Sequence, residues 1–88
     1  MILTQKEMET EIIKEKLQAI IREVVDDECL VISEDTIAED VEGWDSLAQV
    51  LIVGEIQKEF GVRLSSAEVR NISNVGGLLD IINSKINA

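Results

Sequence analysis

One serine stands where its hydroxyl could accept a chemical group. Ser46 follows Gly43, Trp44 and Asp45 and opens an apolar run with the character of a helix. The first turn of a helix has free amide donors and a partial positive charge, and together these stabilise an attached or bound phosphate. Ser46 is therefore a candidate acceptor of a phosphoryl group. The alternative is that its hydroxyl only caps the helix, as serine often does.

The chain lacks the groups that would let Ser46 catalyse a reaction by itself. It contains no histidine among its 88 residues, so it has neither a Ser-His-Asp triad nor an imidazole base that works near neutral pH. The Gly-x-Ser-x-Gly turn of serine hydrolases is also missing around Ser46. We therefore expect a protein that is not an enzyme and has no catalytic residue of its own.

Cysteine and acidic residues do not form a recognisable metal site. Cys29 is the single cysteine, which excludes an internal disulfide, and we expect it to be a half-buried hydrophobe in a reducing compartment. A calcium-binding EF-hand loop that began at Asp35 would need an oxygen ligand at Ile37 and a glycine at Asp40. No metal site is expected.

The negative charge is concentrated directly before Ser46. The chain has 8 basic and 18 acidic side chains and a net charge of −10. Residues 27–45 contain no basic side chain and eight acidic ones: Asp27, Glu28, Glu34, Asp35, Glu39, Asp40, Glu42 and Asp45. This charge repels nucleic acid and anionic membranes, so we expect neither as a partner. A protein partner with a basic patch is favoured.

Length and hydropathy predict a small cytoplasmic protein. With 88 residues we expect one domain over residues 1–88. The first 15 residues lack the basic flank and apolar stretch of a signal peptide, and nowhere do about 18 apolar residues run together. We expect a soluble monomer.

Apolar periodicity predicts an all-α domain with three longer helices and one short one. The first helix is predicted over residues 4–26 with a capping box at Thr4, and the second from Asp45 or Ser46 up to a left-handed C-cap at Gly61. A brief helix over 66–71, with a capping box at Ser65-Ser66-Ala67-Glu68, and a last helix with Asn74 as its N-cap complete the bundle.

Residues 27–44 show no sustained period and are predicted to form a long loop. We expect its apolar side chains to fold back onto the helices. These are Leu30, Ile32, Ile37, Val41 and Trp44. For Trp44 we favour a role as a plug for the loop, and the alternative is contact with a partner enzyme.

The second helix is apolar on two faces. At about 100° per residue, one face carries Ile52, Val53, Ile56 and Phe60, and the roughly opposite face carries Leu47, Val50, Leu51 and Gly54. The first face serves the core, and the second is free for a partner or a ligand. For Val50 and Leu51 the alternative is burial under the long loop.

These features resemble the acyl carrier protein family, the phosphopantetheine-bearing carrier domains of fatty acid, polyketide and peptide assembly. The resemblance covers nearly the whole chain and extends well beyond one triplet. It runs through Asp45-Ser46-Leu47, Glu59-Phe60-Gly61, Val62-Arg63-Leu64-Ser65 and Asn74-Val75-Gly76-Gly77-Leu78. It implies a four-helix bundle of the acyl-carrier type with a long loop between helices one and two.

The resemblance also implies a function for Ser46. A separate phosphopantetheinyl transferase would move 4′-phosphopantetheine from coenzyme A onto Ser46, and the thiol of this arm would hold acyl groups as thioesters. Asp45 would help to position the transferase and its magnesium-bound coenzyme A, and Leu47 would contact partners. The expected partners are this transferase and acyl-loading and acyl-processing enzymes with basic docking patches.

The second helix departs from the usual carrier pattern. Typical bacterial fatty-acid carriers place acidic residues on this helix, whereas here the corresponding face holds Ala48, Leu51, Gly54 and Gln57. We therefore expect docking through apolar contacts from Leu47, Val50, Leu51 and Gly54, with charge steering from Glu39, Asp40 and Glu42.

These departures favour a freestanding carrier of a dedicated, polyketide-like pathway. One alternative is a carrier of aminoacyl or hydroxyacyl groups that an adenylating enzyme loads. Another is an unmodified helical adaptor that binds partners through the second helix, although such a protein would have no need to keep Ser46.

Overall fold

Four helices make up the structure. The computed structural model describes the backbone of residues 5–87 and the side chains of residues 9–87. The helices are α1 (Gln5–Val25), α2 (Ser46–Phe60), α3 (Ser66–Arg70) and α4 (Val75–Ile86), and no strand occurs within residues 5–87. The predicted all-α class and helix order are confirmed, and the predicted helix ends that fall within the described residues agree to within one residue. Within the same residues no helix is long and apolar enough to cross a bilayer.

Helices α1, α2 and α4 share one apolar core. Side chains spaced four apart lie on one face of a helix, and α1 uses this spacing to bury Ile13, Leu17 and Ile21. Their partners on α2 are Ile52 and Ile56, both fully buried. From α4 the core receives Val75, Leu78, Leu79 and Ile82. The core face predicted for α2 is confirmed at Ile52 and Ile56.

Local capping signals set the helix ends. Gly61 closes α2 in the left-handed conformation with φ 64°, which glycine adopts without the steric cost of a Cβ atom. Asn74 caps α4 by accepting the N–H of Gly77 at 2.9 Å. The capping box between Ser65 and Glu68 opens α3. These predictions are confirmed, whereas the capping box predicted at Thr4 lies outside the described residues.

The segment between α1 and α2 is a loop, as predicted, with one 3-10 turn at Ala38–Asp40. Ile32 and Val41 are buried, and Leu30 and Trp44 pack against the core with part of their surface exposed. The prediction for Ile37 is wrong, since 36% of its surface is exposed. Ile37 stands directly before the 3-10 turn. Its backbone makes the hydrogen bonds of this turn with Asp40, and its side chain takes no part in them.

The prediction that Cys29 is half-buried is also wrong, because the structure exposes this side chain. The N–H of Cys29 donates to Asp27 Oδ1 at 3.0 Å, which holds it in a turn just after α1. The chain then continues without regular structure, and Leu30 and Ile32 face the core while Val31 is 75% exposed. The positions that face the core are thus occupied by leucine and isoleucine, which are larger than the exposed valine.

The loop is attached to the beginning of α4 by backbone hydrogen bonds. Val75 N–H donates to the carbonyl oxygen of Thr36, and Gly76 N–H donates to that of Glu34, both at 2.8 Å. A Cβ atom at position 76 would lie only 3.0 Å from the Glu34 carbonyl oxygen, so glycine favours this close approach. The contact fixes the acidic loop beside the start of α4.

An ion pair connects α3 to α4 and predicts an unusual titration. Lys85 Nζ lies 2.8 Å from Glu68 Oε2. The hydrogen bond from Lys85, followed by that from the Ser65 N–H, lowers the pKa of Glu68 from 4.5 to about 2. Because the folded-state pKa is the lower one, this carboxylate stabilises the fold above pH 4.5, and the contribution is lost as the pH falls towards 2.

We expect Lys85→Met to raise the pKa of Glu68 towards its ordinary value, because the largest cause of the shift is removed. Titration of the Glu68 carboxyl carbon by NMR would measure this change, with Lys14→Met as a control that leaves the pair intact. A midpoint that stays near 2 in Lys85→Met would contradict the assigned cause.

Candidate functional site

Asp45 caps α2. Its backbone is extended, and its Oδ1 accepts the N–H of Ala48 at 2.8 Å while its carbonyl oxygen accepts the N–H of Gln49. Ser46 is the first residue of the helix itself and is exposed. The alternative interpretation of Ser46 as the cap is therefore wrong. The hydroxyl of Ser46 makes no hydrogen bond within the described residues, so it is available for chemistry.

Two amide donors beside this hydroxyl are also free. The N–H groups of Ser46 and Leu47 find no acceptor within residues 5–87. At the start of α4, by contrast, the loop and the Asn74 side chain accept the corresponding N–H groups. Free donors at a helix N-terminus stabilise a phosphate group. The start of α2 therefore has free N–H donors for a phosphate group, whereas the N–H donors at the start of α4 are bound within the protein.

An open groove of about 500 Å³ lies next to Ser46, between the start of α2 and the start of α4. Its lining mixes polar and apolar side chains from three separate segments of the chain. The residues that line it are Thr36, Ala38, Glu39, Trp44, Asp45, Ser46, Gln49, Ile72, Ser73, Asn74, Val75 and Leu78. The groove gives a group attached to Ser46 a surface to lie against.

The side chain of Trp44 packs the loop against the helices, as predicted. It is half-buried and packs against the core cluster. Its indole Nε1 donates to Gln49 Oε1 at 2.6 Å, which satisfies the polar end of a side chain whose apolar body is partly buried. This bond joins the residue before the Asp45 cap to the second turn of α2 and so stiffens the backbone on both sides of Ser46.

The exposed face of α2 agrees with the prediction. Leu47 and Val50 are each 68% exposed, Leu51 is 51% exposed and Gly54 is also exposed. The alternative of burial under the long loop is therefore wrong for Val50 and Leu51. Large apolar side chains exposed next to one another are typical of surfaces that bind another protein.

The predicted steering acids Glu39, Asp40 and Glu42 are all exposed. Glu39 lines the groove beside Ser46, whereas Asp40 and Glu42 lie close to it in the chain without lining it. Asp40 also accepts the Ile37 N–H at 3.3 Å, within the 3-10 turn. The negative charge of these three side chains thus lies on the surface of the loop.

Sequence reasoning missed several residues of the groove. Thr36, Ile72 and Ser73 come from loops that show no pattern of their own, and only the fold brings them to Ser46. Gln49 is different, because it stands five residues after Trp44 on a predicted helix. A polar residue about one helical turn beyond a tryptophan was a usable signal for this hydrogen bond.

The residues present fit an attached 4′-phosphopantetheine arm. The Ser46 hydroxyl is exposed, two amide donors beside it are free, and the groove leads away from it. No group of three or more potential metal-ligating side chains is found within the described residues. The site can hold a phosphodiester, but the chain supplies no histidine to deprotonate the serine.

Comparison with known proteins gives the same picture. The family described as "Phosphopantetheine attachment site" matches residues 15–82. A curated relative, the "Polyketide-8 synthase acyl carrier protein 2" of Streptomyces avermitilis, is 32% identical over 74 residues, which are 83% of this chain and 84% of that protein. An "Acyl carrier protein" of Thermotoga maritima is 36% identical and covers 81% of this chain and 88% of its own length.

A solved structure has the same fold. The solution structure of a holo acyl carrier protein from Geobacter metallireducens superposes with a TM-score of 0.78 at 29% sequence identity. The match covers 83% of this chain and 84% of that one. The fold similarity therefore extends over most of the chain.

The two neighbouring residues at the start of α2 should respond differently to mutation. We expect Asp45→Ala to lower the free energy of unfolding by about 1 kcal/mol, because it removes an N-cap. Ser46→Ala should change it by less than about 0.5 kcal/mol, because the hydroxyl of an exposed residue is removed without loss of a hydrogen bond. Urea unfolding followed by circular dichroism measures both. Equal losses in the two variants would contradict the assignment of the cap to Asp45.

Proposed function

This chain belongs to the acyl carrier protein family, which carries a covalently attached 4′-phosphopantetheine, and we propose that Ser46 is the residue that bears it. In this proposal the chain is a carrier rather than a catalyst and acts in the cytoplasm, where coenzyme A supplies the arm. The terminal thiol of the arm, once attached, holds acyl groups as thioesters.

The observation that carries the proposal is the state of Ser46. Its hydroxyl is exposed, and the N–H groups of Ser46 and Leu47 are free to bind the phosphate oxygens of a phosphodiester on Oγ. Attachment joins Ser46 Oγ to phosphorus of coenzyme A, releases the adenosine bisphosphate part, and leaves the hydroxyl proton with a base on the transferase. Asp45 keeps the backbone of this turn in place through its hydrogen bond to Ala48.

We further propose that the carrier serves a dedicated, polyketide-like pathway. The support is the exposed face of α2, where Leu51 and Gly54 stand at positions that acidic residues occupy in typical fatty-acid carriers. An enzyme that binds this face must offer apolar side chains. An adaptor that never receives the arm is disfavoured, because nothing in such a role calls for a free hydroxyl and free amide donors at Ser46.

Modification tests the site directly. Incubation with coenzyme A, Mg²⁺ and a broad-specificity phosphopantetheinyl transferase should add the mass of one arm to the wild-type chain, and intact-mass spectrometry measures this. Ser46→Ala should gain no mass. Ser73→Ala is a matched control, because Ser73 is an exposed serine on the same groove, and it should be modified normally. If several transferases leave the wild-type chain unmodified, the adaptor is the better interpretation.

The acidic loop supplies long-range attraction in this proposal. We expect Glu39→Gln, Asp40→Asn and Glu42→Gln together to slow association with the transferase by about threefold to tenfold at low salt and to flatten its salt dependence. Stopped-flow measurement of the association rate tests this. The control neutralises Glu11, Glu15 and Glu23 of α1, which are equally exposed and change the net charge by the same amount. Equal slowing of association in both variants would show that the position of the acidic side chains on the protein does not affect the association rate.

A further inference from the structure

One side-chain hydrogen bond spans the candidate attachment site. The indole Nε1 of Trp44 donates to Gln49 Oε1 at 2.6 Å, and Ser46 lies between these two residues in the chain. Trp44 belongs to the loop, whereas Gln49 lies in α2. The bond therefore joins the two segments of the chain that meet at Ser46.

Trp44 is held in place by more than this bond. Its backbone N–H donates to the carbonyl oxygen of Val41 at 3.2 Å, and the side chain of Val41 is buried. The ring of Trp44 also packs against the core cluster. The side chain of Gln49 is therefore bound to a residue that is itself anchored to the body of the protein.

Asp45 supplies two other hydrogen bonds at the start of α2. It accepts the Ala48 N–H on Oδ1 at 2.8 Å and the Gln49 N–H on its carbonyl oxygen at 2.9 Å. Both bonds depend on one exposed residue, and the ends of helices open at little cost in free energy. The bond from Trp44 is different, because its donor belongs to a residue that packs against the core. It ties the beginning of α2 to the packed part of the loop.

The chemical type of residue 49 suits this bond and this place. An indole N–H can only donate, so the side chain opposite it must accept, and the amide oxygen of Gln49 does so without a charge. A carboxylate would accept as well. It would, however, place a negative charge on the groove that Gln49 lines beside Ser46, where it would repel an attached phosphate. A neutral acceptor is therefore the suitable group at this position.

We propose that Gln49 is a positioning residue for the modification of Ser46. By accepting the indole N–H of Trp44, it keeps the first turn of α2 ordered. Ser46 Oγ is thereby held in one position while it forms its bond to phosphorus, gives its proton to a base on the transferase and displaces the adenosine bisphosphate part of coenzyme A. A misplacement of about 1 Å in a reacting group can lower a rate strongly. The inference rests on the proposed function, since it assumes that Ser46 is modified.

Removal of the acceptor tests this role in the complete apo chain, with coenzyme A, Mg²⁺ and a broad-specificity phosphopantetheinyl transferase. We expect Gln49→Leu to lower kcat for modification about twofold to fivefold with KM unchanged, because the exposed apolar face of α2 stays intact and only the position of Oγ is less well fixed. The matched control is Gln57→Leu. Gln57 is a glutamine of the same helix whose Oε1 accepts the Leu64 N–H at 2.9 Å, far from Ser46 in the chain, and its replacement should leave kcat unchanged.

Trp44 provides two further measurements. In the Trp44→Phe chain, which keeps an aromatic ring but has no N–H donor, the additional change Gln49→Leu should lower kcat no further, because both changes remove the same bond. Trp44 is also the single tryptophan, so one indole N–H resonance in an NMR spectrum reports on it. This proton should exchange with water about threefold faster in Gln49→Leu than in the wild type, and at the wild-type rate in Gln57→Leu.

Three kinetic outcomes would overturn the positioning role and leave Ser46 as the modified residue. They are an unchanged kcat in Gln49→Leu, an equal fall in Gln57→Leu, and a further fall when Gln49→Leu is added to Trp44→Phe. A higher KM with unchanged kcat would make Gln49 a contact with the transferase, which also overturns the proposal. Failure of the wild-type chain to be modified would refute the proposed function, and this inference with it. If circular dichroism shows that Gln49→Leu is unfolded, Trp44→Phe alone decides by the same comparison, because it removes the donor of the same bond.

Discussion

The attachment of the long loop to the start of α4 is the constraint on which the site depends. Two carbonyl oxygens of the loop, on Glu34 and Thr36, accept the first two N–H groups of α4. Gly76 favours this approach, because a Cβ atom there would lie only 3.0 Å from the Glu34 carbonyl oxygen. The loop has eight acidic side chains and no basic one, and these backbone hydrogen bonds hold it to the bundle together with its buried Ile32 and Val41. With this contact, one wall of the groove beside Ser46 is in place.

The N-termini of α2 and α4, on either side of this groove, differ in whether their N–H groups are hydrogen-bonded. At α4 the loop and Asn74 accept the N–H groups, and this holds the fold together. At α2 the Asp45 side chain accepts one N–H, that of Ala48, and the first two remain free. The same feature of helix geometry thus stabilises the protein at one end of the groove and offers a phosphate site at the other.

Prediction from the sequence worked where the signal was local. The left-handed Gly61, the Asn74 cap and the Ser65 capping box each depend on a few neighbouring residues, and all three are found. Cys29 and Ile37 were placed wrongly because they lie in a segment without a period, where an apolar residue alone does not say which way it points. The groove residues Thr36 and Ser73 were missed because only the packing of distant segments brings them to Ser46.

By itself, the sequence determined the class of the fold, the family resemblance, the candidate serine and the position of the acidic charge in the chain. These follow from periodicity, capping residues and composition, which depend on the order of residues and not on their contacts. The tertiary structure decided that Asp45 caps α2, that Ser46 is therefore free, and that Val50 and Leu51 face solvent. Exposure and hydrogen-bond partners depend on which segments pack together, and this is settled only when the loop and the helices share one core.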